Sequence, residues 1–597
     1  MTWLDVALAA ARGLHLAATM SLTGALVFRL LIAPFPLRRV VRPSLALAWA
    51  AGLVWLVFQS AELSDAANLR ETFAAVPIAA LQTRFGHMLL LRLAILPVAV
   101  VVAGSGRGRA RLAVAAVMGV AAVAVEAALG HVAASGQPLL VASLCLHLTA
   151  ASVWLGGLIP LWMALTGEHP GVTARRFSLV AVIAVATLAA TAFQQATALI
   201  GGLPGFIGTD YGHAASVKLF LLVFLLTLAA INRFVLTPAI DAVPMAMRRL
   251  RSSIVVETAL GLCVVLAAAQ LASLPPGVHL QPDWPLPWRP SLDALADPTV
   301  GGEVKWALWA VAGAAVLLVL GIVVRRLRWL AVGAAVLISV AAAPHLRLLL
   351  VPAYPTSFYI SLTDFDGDGI ARGAKLFAQN CVPCHGADGS GDGPLLERFH
   401  DTLADLTAAH LWAHNDGEMF WYLTHGIDSP PGEPRMPGFD GVLGSESRWV
   451  LIDYLRAHNA GVAMAQRGVW DHPIPAPELE AKCGDGRVVA IEDFRGRMLR
   501  IVVGPPARMQ DLPTIFIDPK PPQEDSCVAG APEVRLAYAI VSGLTPETLA
   551  GTVFLVDPAG WLRNRIRPTD PPPDYAALAR YIIANPIAAP AAIGHHH

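Results

Sequence analysis

Five consecutive residues, Cys381-Val382-Pro383-Cys384-His385, carry the strongest chemical signal in the chain. Two thiols three residues apart can each add to a vinyl group of one porphyrin, and the imidazole that follows then stands beside the iron as its proximal ligand. The expected cofactor is a covalent heme c. The distal ligand must come from farther along the chain, and Met436, in Arg435-Met436-Pro437-Gly438, is the residue expected there, with His410, His414 and His425 as competitors. A His/Met pair raises the reduction potential relative to two imidazoles. That suits a carrier taking electrons from a redox partner in the periplasm.

A second set of candidates lies in apolar surroundings. His15 and His147 recur in matching frames, Leu14-His15-Leu16 with Gly24 and Leu146-His147-Leu148 with Gly156. Phe85-Gly86-His87 with Arg92 recurs as Tyr211-Gly212-His213 with Lys218, and Arg38-Arg39 with Gln59 as Arg175-Arg176 with Gln195. His87, His131 and His213 fall at helix ends, whereas His15 and His147 fall about ten residues deeper, roughly 15 Å at helical rise. Ionisable groups inside a membrane are costly and usually line a cavity or bind something. A facing pair of imidazoles at matched depth suits a heme b. It equally suits copper, with Met20 or Met88 as a soft ligand.

The elements that must position these residues follow from composition. Hydrophobic residues make up 55% of the 597 and charged residues 14%, against roughly 25% charged in soluble proteins, so a large part of the chain is membrane-embedded. Apolar runs near 5–33, 43–61, 86–103, 112–129, 138–165, 177–200, 214–236, 253–272, 304–323 and 329–351 each approach the roughly 20 residues that cross a hydrocarbon core as helix. Arginines follow the odd-numbered runs (Arg38, Arg39 and Arg42; Arg107, Arg109 and Arg111; Arg175 and Arg176; Arg248, Arg249 and Arg251; Arg325, Arg326 and Arg328), and the alternate loops are poor in them. The positive-inside rule then predicts a multi-pass protein of a bacterial inner membrane. Its N-terminus and everything beyond about 352 lie in the periplasm. With a formal net charge of zero, nothing global points to nucleic acid or an acidic substrate, and no nucleic-acid partner is expected. No triad, P-loop or dinucleotide fingerprint points to a catalytic residue.

The fold class expected is mostly α. Residues 1–136 and 137–273 form duplicated four-helix membrane units, and 274–352 a periplasmic loop with two further spans. Residues 362–462 form an all-α heme-binding domain, and 475–587 an α/β domain after a Pro-rich linker. Asp364-x-Asp366-x-Asp368-Gly369 imitates a calcium loop but has Lys375 where the bidentate Glu belongs, so it reads as a turn before a helix. Cys483 and Cys527 form a disulfide or stay free thiols. The terminal Gly594-His595-His596-His597 is set aside as a tag remnant.

Residues 138–272 resemble the CopD family of inner-membrane copper-resistance proteins. The resemblance rests on His147-x6-Trp154-Leu155-Gly156-Gly157, Arg175-Arg176-Phe177-Ser178, Tyr211-Gly212-His213 with Lys218, and Arg251-Ser252 with Glu257. It implies copper movement across the membrane, with copper ion or a copper chaperone as partner. Each half is also similar to the four-helix membrane protoporphyrinogen oxidases, which implies heme b. Residues 371–462 resemble class I cytochrome c along their length, through Gly373-Ala374-Lys375-Leu376-Phe377, the loop Gly386 to Pro394, and Arg448-Trp449-Val450. Residues 475–585 resemble a thioredoxin-like, Sco-type fold, but Val502-Val503-Gly504-Pro505-Pro506 stands where the paired cysteines belong. The resemblances therefore imply copper handling with electron exchange through heme c. The alternative they imply is electron transfer from a quinol through heme b.

Overall fold

The computed structural model describes residues 3–105, 108–134, 136–395, 404–427, 436–504, 512–518, 520, 526–571 and 573–587. Arg107, Arg435, Pro505, Pro506 and the terminal histidines lie outside the described residues. The chain divides into two compact units, Met1–Pro282 and Asp283–His597. Ten helices are long and apolar enough to cross a membrane, matching the ten apolar runs.

In the first unit the long helices are α1 (Trp3–Leu31), α2 (Arg38–Ser64), α3 (Leu69–Gln82), α4 (Arg84–Gly104), α5 (Arg109–Ala124), α6 (Pro138–Leu155), α7 (Pro170–Leu199), α8 (Asp210–Ile231) and α9 (Pro244–Leu271). Helix α1 is the axis of the bundle. It buries Leu22, Ala25, Leu26 and Phe28 against its neighbours, whereas α7 and α8 bury few of their apolar residues, as lipid-facing helices do. The repeat seen in the sequence has a spatial consequence. Gly24 of α1 and Gly156, just after α6, are equivalent residues, and they touch. A Cβ on Gly24 would lie 2.4 Å from the Gly156 carbonyl carbon, and one on Gly156 2.1 Å from the Met20 carbonyl oxygen. Small residues permit such backbone approach where lipid supplies no hydrophobic force between helices. Equivalent residues meet only near the axis that relates two halves.

The second unit begins with a two-stranded pair, β1 (Trp288–Pro290) with β2 (Leu350–Pro352). Between them run the spans α10 (Gly301–Val323) and α11 (Arg328–Leu346). The CxxCH segment follows, with helices α12 (Gly367–Asn380), α13 (Asp416–His425) and α14 (Ser445–Arg467), and a short pair β3 (Gly426–Ile427) with β4 (Met436–Pro437). Asp366 caps α12 by accepting from Gly369 N at 2.6 Å, so the aspartate-rich stretch is a helix start.

The C-terminal part is a seven-stranded sheet. Its strands are β5 (Glu480–Cys483), β6 (Val488–Ala490), β7 (Leu499–Val503), β8 (Thr514–Ile517), β9 (Cys527–Ala529), β10 (Val553–Val556) and β11 (Leu562–Ile566), in spatial order β11-β10-β7-β8-β9-β5-β6. Strands β7, β8 and β9 are parallel and the other pairs antiparallel. Cys483 and Cys527 face each other across β5 and β9 and form a disulfide. Helices α15 (Pro532–Ser542) and α16 (Tyr575–Ala584) complete it.

This sheet is not an appendage on a linker. Ile370 of α12 and Ala457 and Ala460 of α14 belong to one apolar cluster with Ile501, Ile515, Ala537, Tyr538 and Phe554. Gly461 of α14 approaches α15 so closely that a Cβ would sit 1.9 Å from the Ile540 carbonyl oxygen. The heme-binding helices and the sheet therefore share one core.

Candidate heme site and membrane cavity

Helix α12 delivers Cys381 at its C-cap, and one tight turn, Val382–His385, carries the remaining residues of the motif. Helices α12 and α14 cross at Gly373, where a Cβ would meet the Val450 carbonyl oxygen at 2.2 Å; any side chain would push them apart. The loop after the motif folds back on it. Gly391 N donates to His385 O at 2.9 Å, Gly393 N to Cys384 O at 3.2 Å and Leu395 N to Pro383 O at 2.9 Å. Gly386 takes φ +78°, a conformation that disfavours L side chains.

The residues present fit a covalent heme c. His385 Nδ1 lies 3.1 Å from the Ala404 carbonyl oxygen. A carbonyl only accepts, so Nδ1 carries the proton and Nε2 keeps the lone pair that iron needs. Burial lowers the His385 pKa from its ordinary value, against a smaller raising effect of the Ala404 carbonyl, which favours the neutral, ligating form. Cys381 is buried in a cluster with Phe377, Met419, Phe420 and Trp449, and Met436 packs against the same cluster. Strand pairing Ile427↔Met436 and Gly426↔Pro437 fixes the Met-Pro segment there. Two of the competitors have neighbours of their own: His414 lies 3.6 Å from Glu418 and the His425 ring lies against Trp421 at 3.9 Å, whereas His410 is exposed. His458, which stacks on Tyr454 and lies 2.6 Å from the Asp388 carbonyl oxygen, braces the loop; only its packing reveals this.

The membrane histidines separate into three kinds. His87 and His213 are helix-end pins. In each repeat a Thr caps the helix, its Oγ1 accepting from a backbone N–H (Gly86 N to Thr83, Gly212 N to Thr209, both 3.0 Å), and the His Nε2 donates to the carbonyl six residues back (Leu81 O and Ile207 O, both 2.9 Å). That bond takes one ring nitrogen of each and leaves Nδ1, and neither residue is among those lining the cavity on which His147 opens, so the structure does not bring these two expected metal ligands to His147. His131 lies in the short helix Gly130–Ala134, and its side chain is outside the described residues.

His15 is fully buried, with Nδ1 2.7 Å from the Ala48 carbonyl oxygen and Gly52 packed on its ring. Beside it stand Trp55 and an ion-pair network in which Glu126 accepts from Arg12 at 2.9 Å and pairs with the fully buried Arg92. His147 instead opens on a cavity of about 260 Å³, lined also by Met20, Trp154, Gln195, Tyr211 and Lys218. Its Nδ1 lies 2.9 Å from Thr191 Oγ1, whose own proton goes to the Thr187 carbonyl at 2.7 Å. The Nε2 lone pair of His147 is therefore free. His15 does not line that cavity, so the facing imidazole pair expected for heme b is not formed: equivalence by sequence places the two rings in equivalent halves, not opposite one another. Met88 does not line that cavity either. Among the described residues no three His, Cys, Asp or Glu gather as a metal site.

Three parts of the chain match families of known proteins. Residues 3–139 match the family model for the copper resistance protein D-like N-terminal domain and residues 171–271 that for copper resistance protein D. Residues 368–455 match cytochrome C oxidase, cbb3-type, subunit III, a domain type that implies covalent heme c. The chain is 35% identical over 139 residues to the copper transport protein CutJ of Bacillus subtilis, covering 22% of this chain and 24% of that one. It is 32% identical over 110 residues to the cbb3-type cytochrome c oxidase subunit CcoP of an Azospirillum species, covering 17% of this chain and 35% of that one. It thus spans about a quarter and about a third of the curated relatives it matches. No solved structure matches it. The chain thus joins segments similar to copper-resistance-D-type domains, within a part whose helices are long and apolar enough to cross a membrane, to a segment similar to the cbb3-type subunit III cytochrome c domain.

Proposed function

We propose that the chain handles copper at a bacterial inner membrane, taking the soft cuprous ion into the first unit's cavity, with its heme domain exchanging electrons in the periplasm. The observation that carries this is the His147 Nε2 lone pair, open to a cavity that Met20 also lines. Imidazole and thioether suit Cu(I). An incomplete ligand set suits a cargo that must leave again, better than a resident metal. The family matches over 3–139 and 171–271 support the same reading.

Heme c, held by Cys381, Cys384, His385 and Met436, would supply a one-electron couple. This chain's residues anchor it, keep His385 in its ligating tautomer and exclude water with Phe377, Phe420 and Trp449. The periplasmic placement is supported by the arginine asymmetry of the loops and by the Cys483–Cys527 disulfide, which belongs in an oxidising compartment. With those cysteines bonded to each other and no CxxC, the C-terminal thioredoxin-like part serves as a docking surface for a periplasmic redox partner or copper chaperone. An electron-transfer reading through heme b has no geometric support, because His15 and His147 do not share a cavity.

The test is a cuprous titration of the full chain against a colorimetric chelator, with heme counted separately. His147→Ala should weaken Cu(I) binding by roughly tenfold or more, about 1.4 kcal/mol, and leave heme c content unchanged. Equal Cu(I) affinity in the variant would refute the site, and a b-type absorbance band lost with His147 would favour the alternative.

A further inference from the structure

The cavity that His147 opens on carries a charge imbalance. Its lining holds Arg12, Glu126 and Lys218. Glu126 is already claimed twice: Arg12 Nε and Nη2 donate to Oε1 at 3.0 and 2.9 Å, and Arg92 Nη1 to Oε2. Two cations therefore share this one carboxylate. Lys218 is the cation left over, and among the described residues no carboxylate pairs with it. The repeat makes this pointed. Lys218 stands five residues past His213 as Arg92 stands five past His87; the first position is neutralised inside the protein and the second faces open space.

An ammonium left without a partner in a largely apolar membrane cavity is expensive, and the neighbouring groups add donors without adding negative charge. Tyr211 lines the same cavity, and Gln195 does so with its Nε2 unpartnered. His147, with Nδ1–H turned to Thr191, offers only a neutral lone pair.

We infer that the cavity binds a monovalent anion of halide class against Lys218. The apolar lining selects a weakly hydrated singly charged ion and disfavours sulfate or phosphate, whose second charge would meet nothing. This site does not depend on copper. If the copper reading holds, the anion sits where it neutralises Lys218 and lets a cuprous ion approach the His147 Nε2 without facing an uncompensated positive charge.

The experiment is equilibrium binding of radiolabelled chloride to the full chain in lipid nanodiscs, stripped of copper by chelation. One saturable chloride per chain is expected, displaced by bromide and not by sulfate at matched ionic strength. Lys218→Met should weaken it by about tenfold or more, Lys218→Arg should keep it, and His147→Ala should keep it too. No saturable binding, or binding by Lys218→Met equal to wild type, overturns the inference. Should Lys218→Met fail to insert, the wild-type saturation, the bromide competition and the Lys218→Arg variant still decide it. A cuprous titration in chloride and in gluconate then separates the two ideas. Loss of copper binding in His147→Ala with chloride binding retained supports both, and chloride binding without any copper binding in wild type sinks only the copper reading.

Discussion

Asp453 offers the sharpest test of how the heme-binding helices are built. It lies on α14, buried at 6% exposure, with Thr363 Oγ1 donating to its Oδ2 at 2.5 Å. Burial raises its pKa to about 7, helped by the negative charges of Asp416, Asp366 and Asp364 and opposed by the Thr363 hydrogen bond. An unfolded aspartate titrates near 3.9, so the folded state holds this proton more tightly than the unfolded state does. Stability from this group is complete below about pH 4 and falls as pH rises, until it is lost above the folded value near 7. At 1.36 kcal/mol per pH unit, the gap of roughly three units amounts to about 4 kcal/mol. Asp453→Asn keeps the shape, keeps an acceptor for Thr363 and removes the titration. Chemical denaturation of the holoprotein, followed at the heme Soret band at pH 5 and pH 8, should show the wild type losing stability between the two. The variant should hold more of its stability at pH 8. Parallel curves for wild type and variant across that range would refute the burial argument.

Met436→Ala should leave the thioether-bound heme in place while lowering its reduction potential and removing the Met-to-iron absorbance, because Met436 is the soft group packed against the Cys381 cluster; an unchanged spectrum would move the distal ligand elsewhere. Replacing Cys483 and Cys527 with serine opens a loop of 44 residues, which in the chain-entropy account costs about 4 kcal/mol. That loss should appear as a lower denaturation midpoint of the sheet and, because the core is shared with α12 and α14, of the heme band with it. Separate transitions for sheet and heme would show the core is not one cooperative body.

What the sequence determined by itself is what depends on neighbours along the chain. A CxxCH spacing is covalent geometry, and a run of apolar residues is long enough to span a bilayer whatever surrounds it. The turn that carries the CxxCH motif, the ten candidate spans and the helix start at Asp366 were legible for that reason. The duplicated histidine frames were legible too, but sequence equivalence says nothing about which way two equivalent side chains face. Tertiary packing brought Gly24 onto Gly156 and sealed His15 beneath Gly52. It left His147 alone on the cavity and bound Glu126 to two arginines from other helices. It also merged the sheet with the heme helices through Gly461 and Tyr538. These outcomes join residues far apart in the chain, where close packing of whole helices, and not local propensity, decides what touches.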